Sequence, residues 1–192
     1  MNLKFTNFVS QIPDKHVKDT EIYSGKNITI FKPKSFLGDV TFHTTDYHLS
    51  LPTSKPPTIL VNEKTCEVSS RKLLTVNPGD KVTCTMEKEA DAYYSLLIKT
   101  ELLKKVAEEL DLTGDIKFRR TVNPYSNQLV QAIFNLYNEL KRNDKLEFMI
   151  DCIETQVAII MLRDMESNIK KININFDSSN FINVAQEYMN TF

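Results

Sequence analysis

Residues 92–110 read AYYSLLIKTELLKKVAEEL, and the chain changes character inside them. The front of this stretch, to Ile98, is a strand-length run of aromatic and aliphatic side chains. From Thr100 the pattern is helical. Leu102, Val106 and Leu110 share one face, and Glu101/Lys105 and Lys105/Glu109 are i,i+4 pairs of opposite charge. Thr100 is the expected N-cap of a helix over Glu101–Leu110, and Gly114 lies just past its end.

Everything before this junction reads as strands: Asn27–Phe31, Asp39–Leu51, Thr58–Val61, Cys66–Val68, Lys72–Val76, Lys81–Met86 and Ala92–Ile98. Their spacing is that of a sandwich or barrel. Pro52, Pro56 and Pro57 break the chain between two of them, Asn62-Glu63-Lys64 sits where a tight hairpin turn falls, and Pro78-Gly79 has the type II turn signature. No helix-period segment interrupts these strands, so they are expected to pair antiparallel.

Everything after it reads as helices. Ser126 is the expected cap of Asn127–Arg142, with Leu129, Ile133, Leu136 and Leu140 in one stripe. A third helix runs from about Leu146 to Met165 and carries Met149, Ile150, Ile153, Val157, Ile160 and Met161. That stripe is too wide for one covered face, so it asks for two partners. A final segment, FINVAQEYMNTF from Phe181, is amphipathic and stops without glycine, proline or a basic last turn. It is expected to open a further unit beyond this chain.

Composition narrows the class. Of 192 residues, 41% are hydrophobic and 26% charged, as in ordinary globular domains. Residues 1–96 hold 12 basic and 11 acidic side chains and residues 97–192 hold 12 and 14, for a net charge of −1. Neither half is a basic footprint for duplex DNA. Four glycines leave no GxGxxG or Walker loop. Cys66, Cys84 and Cys152 are too few for a disulfide framework or a zinc knuckle. The longest apolar run, Val157–Leu162, falls far short of the ~20 residues of a membrane span, and the N-terminus lacks a signal-peptide core. A cytoplasmic protein with no membrane contact is expected.

With these residues in view, the sequence resembles the N-terminal effector-binding and dimerisation domain of AraC-type transcriptional regulators. The carrying stretches are FHTTDYHLSL (42–51), TILVNEKTCEV (58–68), LLTVNPGDKV (73–82), residues 92–110 and INVAQEYM (182–189). The resemblance implies an α+β fold: an antiparallel cupin-like β-barrel with an N-terminal arm over 1–98, a helical dimerisation region over 99–168, and over 169–192 a linker and the first helix of a DNA-reading domain absent from this chain. It implies a homodimer, a small-molecule effector, DNA contact only through the absent helix-turn-helix part, and no catalysis. The rival expectations are a stand-alone cupin enzyme and a pure oligomerisation scaffold. A metal-binding cupin would place imidazoles at positions that fall here on Thr45 and near Val82 or Thr83, leaving His43 alone. One imidazole does not make a metal site. No metal or other cofactor is expected.

Strand alternation puts His43, Tyr47, Leu49 and Leu51 on one face, with Asp46 and His48 on the other. If Leu49 and Leu51 are core, His43 and Tyr47 point into the barrel. Val82 and Cys84 share a face of the later strand, and one phenol of Tyr93-Tyr94 lies inside. The expected ligand-binding set is His43, Tyr47, Leu49, Val82, Cys84 and Tyr94. The expected dimer interface is Ile133, Leu136, Leu140, Met149, Ile153 and Ile160.

Overall fold

The structure, a computed structural model, describes residues 5–53, 55–69, 71–89, 93–112 and 114–169. The segment from Phe181 lies outside the described residues. Two short helices, α1 (Thr6–Val9) and α2 (Asp14–Lys18), precede nine strands: β1 (Thr20–Ser24), β2 (Ile28–Pro33), β3 (Ser35–His43), β4 (Tyr47–Pro52), β5 (Ile59–Val61), β6 (Lys64–Cys66), β7 (Lys72–Val76), β8 (Lys81–Glu89) and β9 (Tyr93–Ile98). Helix α3 (Thr100–Glu109), strand β10 (Val122–Pro124) and helices α4 (Asn127–Lys141) and α5 (Glu147–Asp164) complete the fold.

Every strand pair is antiparallel. A six-stranded sheet has the order β1-β2-β9-β4-β7-β10, and a four-stranded sheet has the order β3-β8-β5-β6. They face each other as a two-sheet sandwich, called the barrel below, with the helices layered on the outside of the larger sheet, so the expected α+β class holds. Turn chemistry falls where the residues place it. Asn62 and Glu63 both adopt positive φ, 48° and 65°, as a two-residue hairpin between β5 and β6 requires. Gly79 takes φ 85° after Pro78.

Four features depart from the sequence reading. The expected strand Asp39–Leu51 is two strands in different sheets, β3 and β4. Thr44 breaks it: its Oγ1 accepts from Asp46 N at 3.0 Å and donates to Asp46 O at 3.1 Å, closing a side-chain turn. Secondly, the cap of α3 is the carboxylate of Asp46, which accepts from Thr100 N at 3.2 Å, while the Thr100 hydroxyl donates to Thr45 O at 3.1 Å. Thirdly, β1 pairs with β2, and the strand at 20–24 gives too short a pattern to read alone. Fourthly, the polar connector after α3 supplies β10, which pairs with β7, so the helical half also contributes an edge strand. Ser126 does cap α4, accepting from Leu129 N at 3.1 Å.

The larger sheet is covered on both faces. Its outer face buries Ile28, Ile30, Leu49, Leu73, Leu96 and Ile98 against α3, α4 and α5. Its inner face sends Phe31, Leu74, Val76 and Leu97 towards Val40, Phe42, Ile59 and Val82 of the smaller sheet. One charge is sealed into the outer layer. Glu154 of α5 is fully buried and accepts from the backbone N–H groups of Asn27 and Ile28 at 2.9–3.0 Å and from Asn27 Nδ2 at 2.9 Å. These donors lie in the β1–β2 turn, where Gly25 N also donates to Ile28 O at 2.8 Å. A Cβ at Gly25 would run into Glu154 Oε1, so glycine is the residue that lets the carboxylate approach.

Glu154→Ala is therefore expected to destabilise the fold by about 3 kcal/mol, because it strands buried N–H donors. Gly25→Ala should displace the same carboxylate and shift stability in the same direction. The exposed neighbour Thr155→Ala should stay within about 0.5 kcal/mol of the parent. Urea unfolding midpoints of the three variants check this, and a near-neutral Glu154→Ala would refute the anchoring role.

Candidate functional site

The hollow between the two sheets is nearly filled, and the filling residue comes from outside the barrel. Phe8 of α1 inserts its ring between the sheets. It stands edge-on to Phe42 at 5.1 Å between ring centres and tilted to Phe31 at 5.8 Å and to His48 at 5.7 Å. A small cavity of about 50 Å³ remains on each side of it. The deeper one is bordered by Phe42, His48, Ser50, Val82, Cys84 and Tyr93. The shallower one is bordered by Ile12, His16, Thr20, Ile22 and Phe31, and Leu37, Tyr93 and Ser95 border both. Among the described residues, no lysine, arginine, aspartate or glutamate borders either space.

The polar content of the hollow is concentrated on adjacent strands. His48 and Ser50 on β4 and Ser95 on β9 point inward, and Ser50 and Ser95 are directly paired. His48 Nε2 shares a hydrogen bond of 2.8 Å with Ser95 Oγ. Its Nδ1 is buried and has no hydrogen-bond partner among the described residues. Burial pushes the His48 pKa down to about 4, so the imidazole is neutral at pH 7. Burial also pushes the Cys84 thiol up to about 11 and raises Tyr93 above the ordinary phenol range. At neutral pH the deeper space thus holds a neutral His48 and no thiolate. What it offers is apolar contact, aromatic edges and one small polar cluster.

The N-terminal segment is fastened over this hollow. The Gln11 side-chain amide acts like an extra strand residue: its Nε2 donates to His43 O and its Oε1 accepts from His43 N, both at 2.8 Å. Outside the barrel, the same segment borders an open cleft of about 610 Å³ with His43, Asp46, Lys99 and Glu101.

The residues expected to line the barrel separate into three places. Val82 and Cys84 face the hollow. Tyr47, Leu49 and Tyr94 face the helical layer instead. The Tyr47 hydroxyl donates to Ile116 O at 2.7 Å, and burial, helped by Asp115, pushes its pKa up to about 12. Tyr94 meets Phe134 and Tyr137 edge-on at 5.2 and 5.5 Å. His43 is exposed, on the rim of the open cleft. The shared face of His43, Tyr47 and Leu49 is thereby corrected: the turn at Thr44–Asp46 puts His43 on a different sheet from the other two. Phe8, His48, Ser50, Tyr93 and Ser95 were missed. The signal that could have found the last four is polar or amphipathic residues on the less apolar face of a strand otherwise buried throughout.

The expected dimer contacts separate too. Ile133, Leu136, Leu140, Ile153 and Ile160 are buried within the single chain, where α4 and α5 pack on each other and on the sheet. Met149 is 46% exposed, and it lies beside Leu146 at 62% and Phe148 at 81%. Ile159, further along α5, is also exposed. Among the described residues no group of three or more His, Cys, Asp or Glu side chains is placed to hold a metal ion, and no helix is long and apolar enough to cross a membrane.

No family profile and no curated protein matches the sequence. Solved structures do share its fold. The AraC-like transcriptional activator CuxR superposes with a TM-score of 0.50 at 13% identity, over 87% of this chain and 68% of that one. Apo ToxT from Vibrio cholerae gives a TM-score of 0.41 at 10% identity, over 71% and 55%. A cupin domain from Bordetella pertussis gives 0.32 at 12% identity, over 42% and 91%. This chain thus spans about two thirds of the CuxR structure and about half of ToxT.

The buried imidazole sets a pH dependence. The His48 pKa falls from about 6.5 unfolded to about 4 folded, so the unfolded chain binds the extra proton between those values. The contribution is fully present above about pH 6.5 and is lost as pH falls towards 4, with a slope of at most about 1.4 kcal/mol per pH unit. Urea unfolding of the parent and of His48→Phe from pH 7 to pH 4.5 should show a shallower loss in the variant. Parallel curves would refute the assignment.

Proposed function

We propose that this chain is the effector-sensing and dimerising part of an AraC-type transcription regulator. It performs no reaction, and the DNA-reading part lies outside it. The observation that carries this reading is the barrel hollow: a polar cluster with an unmet ring nitrogen, closed over by an aromatic residue of the N-terminal segment. The shared fold with an AraC-like activator supports it. In this reading residues 1–98 are the barrel and its arm, 99–168 the helical dimerisation region, and 169–192, nearly all outside the described residues, the linker and the first helix of the DNA reader. In this reading the protein is cytoplasmic.

Sensing needs a ligand with different affinities for two states of the chain. In the closed state Phe8 occupies the hollow and Gln11 holds the segment to β3. A ligand in the hollow competes with Phe8 and favours a state in which the segment lies elsewhere. The signal has a short route to the helices. The β3–β4 turn, which lies beside the Gln11 clamp, caps α3 through Asp46, and α5 holds the β1–β2 turn through Glu154.

The dimer surface in this reading is the exposed apolar end of α5 and its approach: Leu146, Phe148 and Met149. The buried residues Ile133, Leu136, Leu140, Ile153 and Ile160 shape that surface from beneath. A two-fold pairing of these helices would bury the same residues from each copy and present two DNA readers to two half-sites. Sedimentation velocity should find a dimer for the parent chain. Phe148→Asp should weaken association about thirtyfold, as loss of a central apolar contact does. A parent that stays monomeric at high concentration would overturn the dimer claim.

A further inference from the structure

We infer that the barrel takes a neutral, single-ring aromatic molecule with one hydrogen-bonding group, of the phenol type, in the place occupied by the ring of Phe8. The inference deepens the effector-sensing reading and rests on it. The chain's own side chain defines the shape. A six-membered ring already sits between Phe31, Phe42 and His48 at centroid distances of 5.1–5.8 Å, one of them edge-on. Such spacings suit aromatic pairs. The spaces of about 50 Å³ on either side of that ring add room for a ring substituent.

The polar groups define the rest of the chemistry. Ser95 satisfies one nitrogen of His48, and the other, Nδ1, is buried without a partner among the described residues. Phe8 covers that imidazole and gives it nothing to bond. A ring carrying a hydroxyl keeps the aromatic contacts and adds the missing hydrogen bond, which is the difference in affinity that displacement of Phe8 needs. Anionic ligands fit poorly. A carboxylate or phosphate finds no lysine or arginine at the walls.

The test uses the full chain with five probes: phenol, toluene, benzoate, glucose and decanoate. Thermal shift reads binding, and hydrogen–deuterium exchange of residues 5–12 reads release of the segment. Phenol is expected to bind the parent chain and to raise exchange in residues 5–12, whereas benzoate and glucose do neither. Phe8→Ala removes the competitor and should tighten phenol binding about tenfold. Phe8→Leu, which keeps an apolar plug, serves the same comparison if the alanine variant does not fold. His48→Phe should abolish the preference for phenol over toluene and leave toluene binding in place. Phenol binding that is indifferent to residue 8, or release of the segment by glucose or decanoate instead, overturns this inference and leaves a sensing barrel. No response to any probe in any variant overturns both this inference and the sensing barrel itself.

Discussion

The larger sheet is buried on both faces, and that constraint organises the molecule. In β9 every residue of YYSLLI is buried, and in β4 every residue before Pro52 is buried. A strand in this position cannot send its polar side chains to water, so each must be satisfied inside the fold. Tyr47 meets this demand with Ile116 O on the helical side, and on the barrel side Ser95 and His48 Nε2 meet it with each other while His48 Nδ1 stays unmet. The sheet is thus a partition. One face is a filled contact with helices, and the other carries the cluster of His48, Ser50 and Ser95.

Glu154 fixes the partition to what lies above it. A buried carboxylate is costly unless donors surround it, and here they come from one turn of the barrel. The same turn receives Lys99 N on Asn27 O at 2.9 Å, where the last barrel strand becomes the first helix of the layer. The β1–β2 turn therefore ties two helices to the barrel. Motion of α5 relative to the sheet would have to break these hydrogen bonds.

The fold was legible from residue type because its turns carry strong signals. Pro78-Gly79, the Asn62-Glu63 hairpin and the change of period after Ile98 divide the chain where the structure divides it. The interior site was less legible, and the larger sheet shows why. Alternation identifies a strand's two faces, but when both are buried it does not say which one looks into the barrel. Leu49 and Leu51 are apolar because helices cover them, whereas His48 and Ser50 lie on the barrel side. Phe8 was invisible for another reason. A four-residue helix has no period to detect, and its burial is decided entirely by the distant surface that receives it. On the helices, the stripe of Ile133, Leu136 and Leu140 was read correctly as apolar, but most of its width goes to α5 and the sheet.

The Gln11 clamp has one more consequence. Strand β3 is the margin of the smaller sheet, and the amide of Gln11 completes the peptide bonding of His43 on the side away from β8. A chain that lets go of this segment uncovers a raw sheet border as well as a cavity, and such borders recruit other strands. Release therefore carries a colloidal hazard. The same glutamine that fastens the segment over the hollow thus also covers that border at His43.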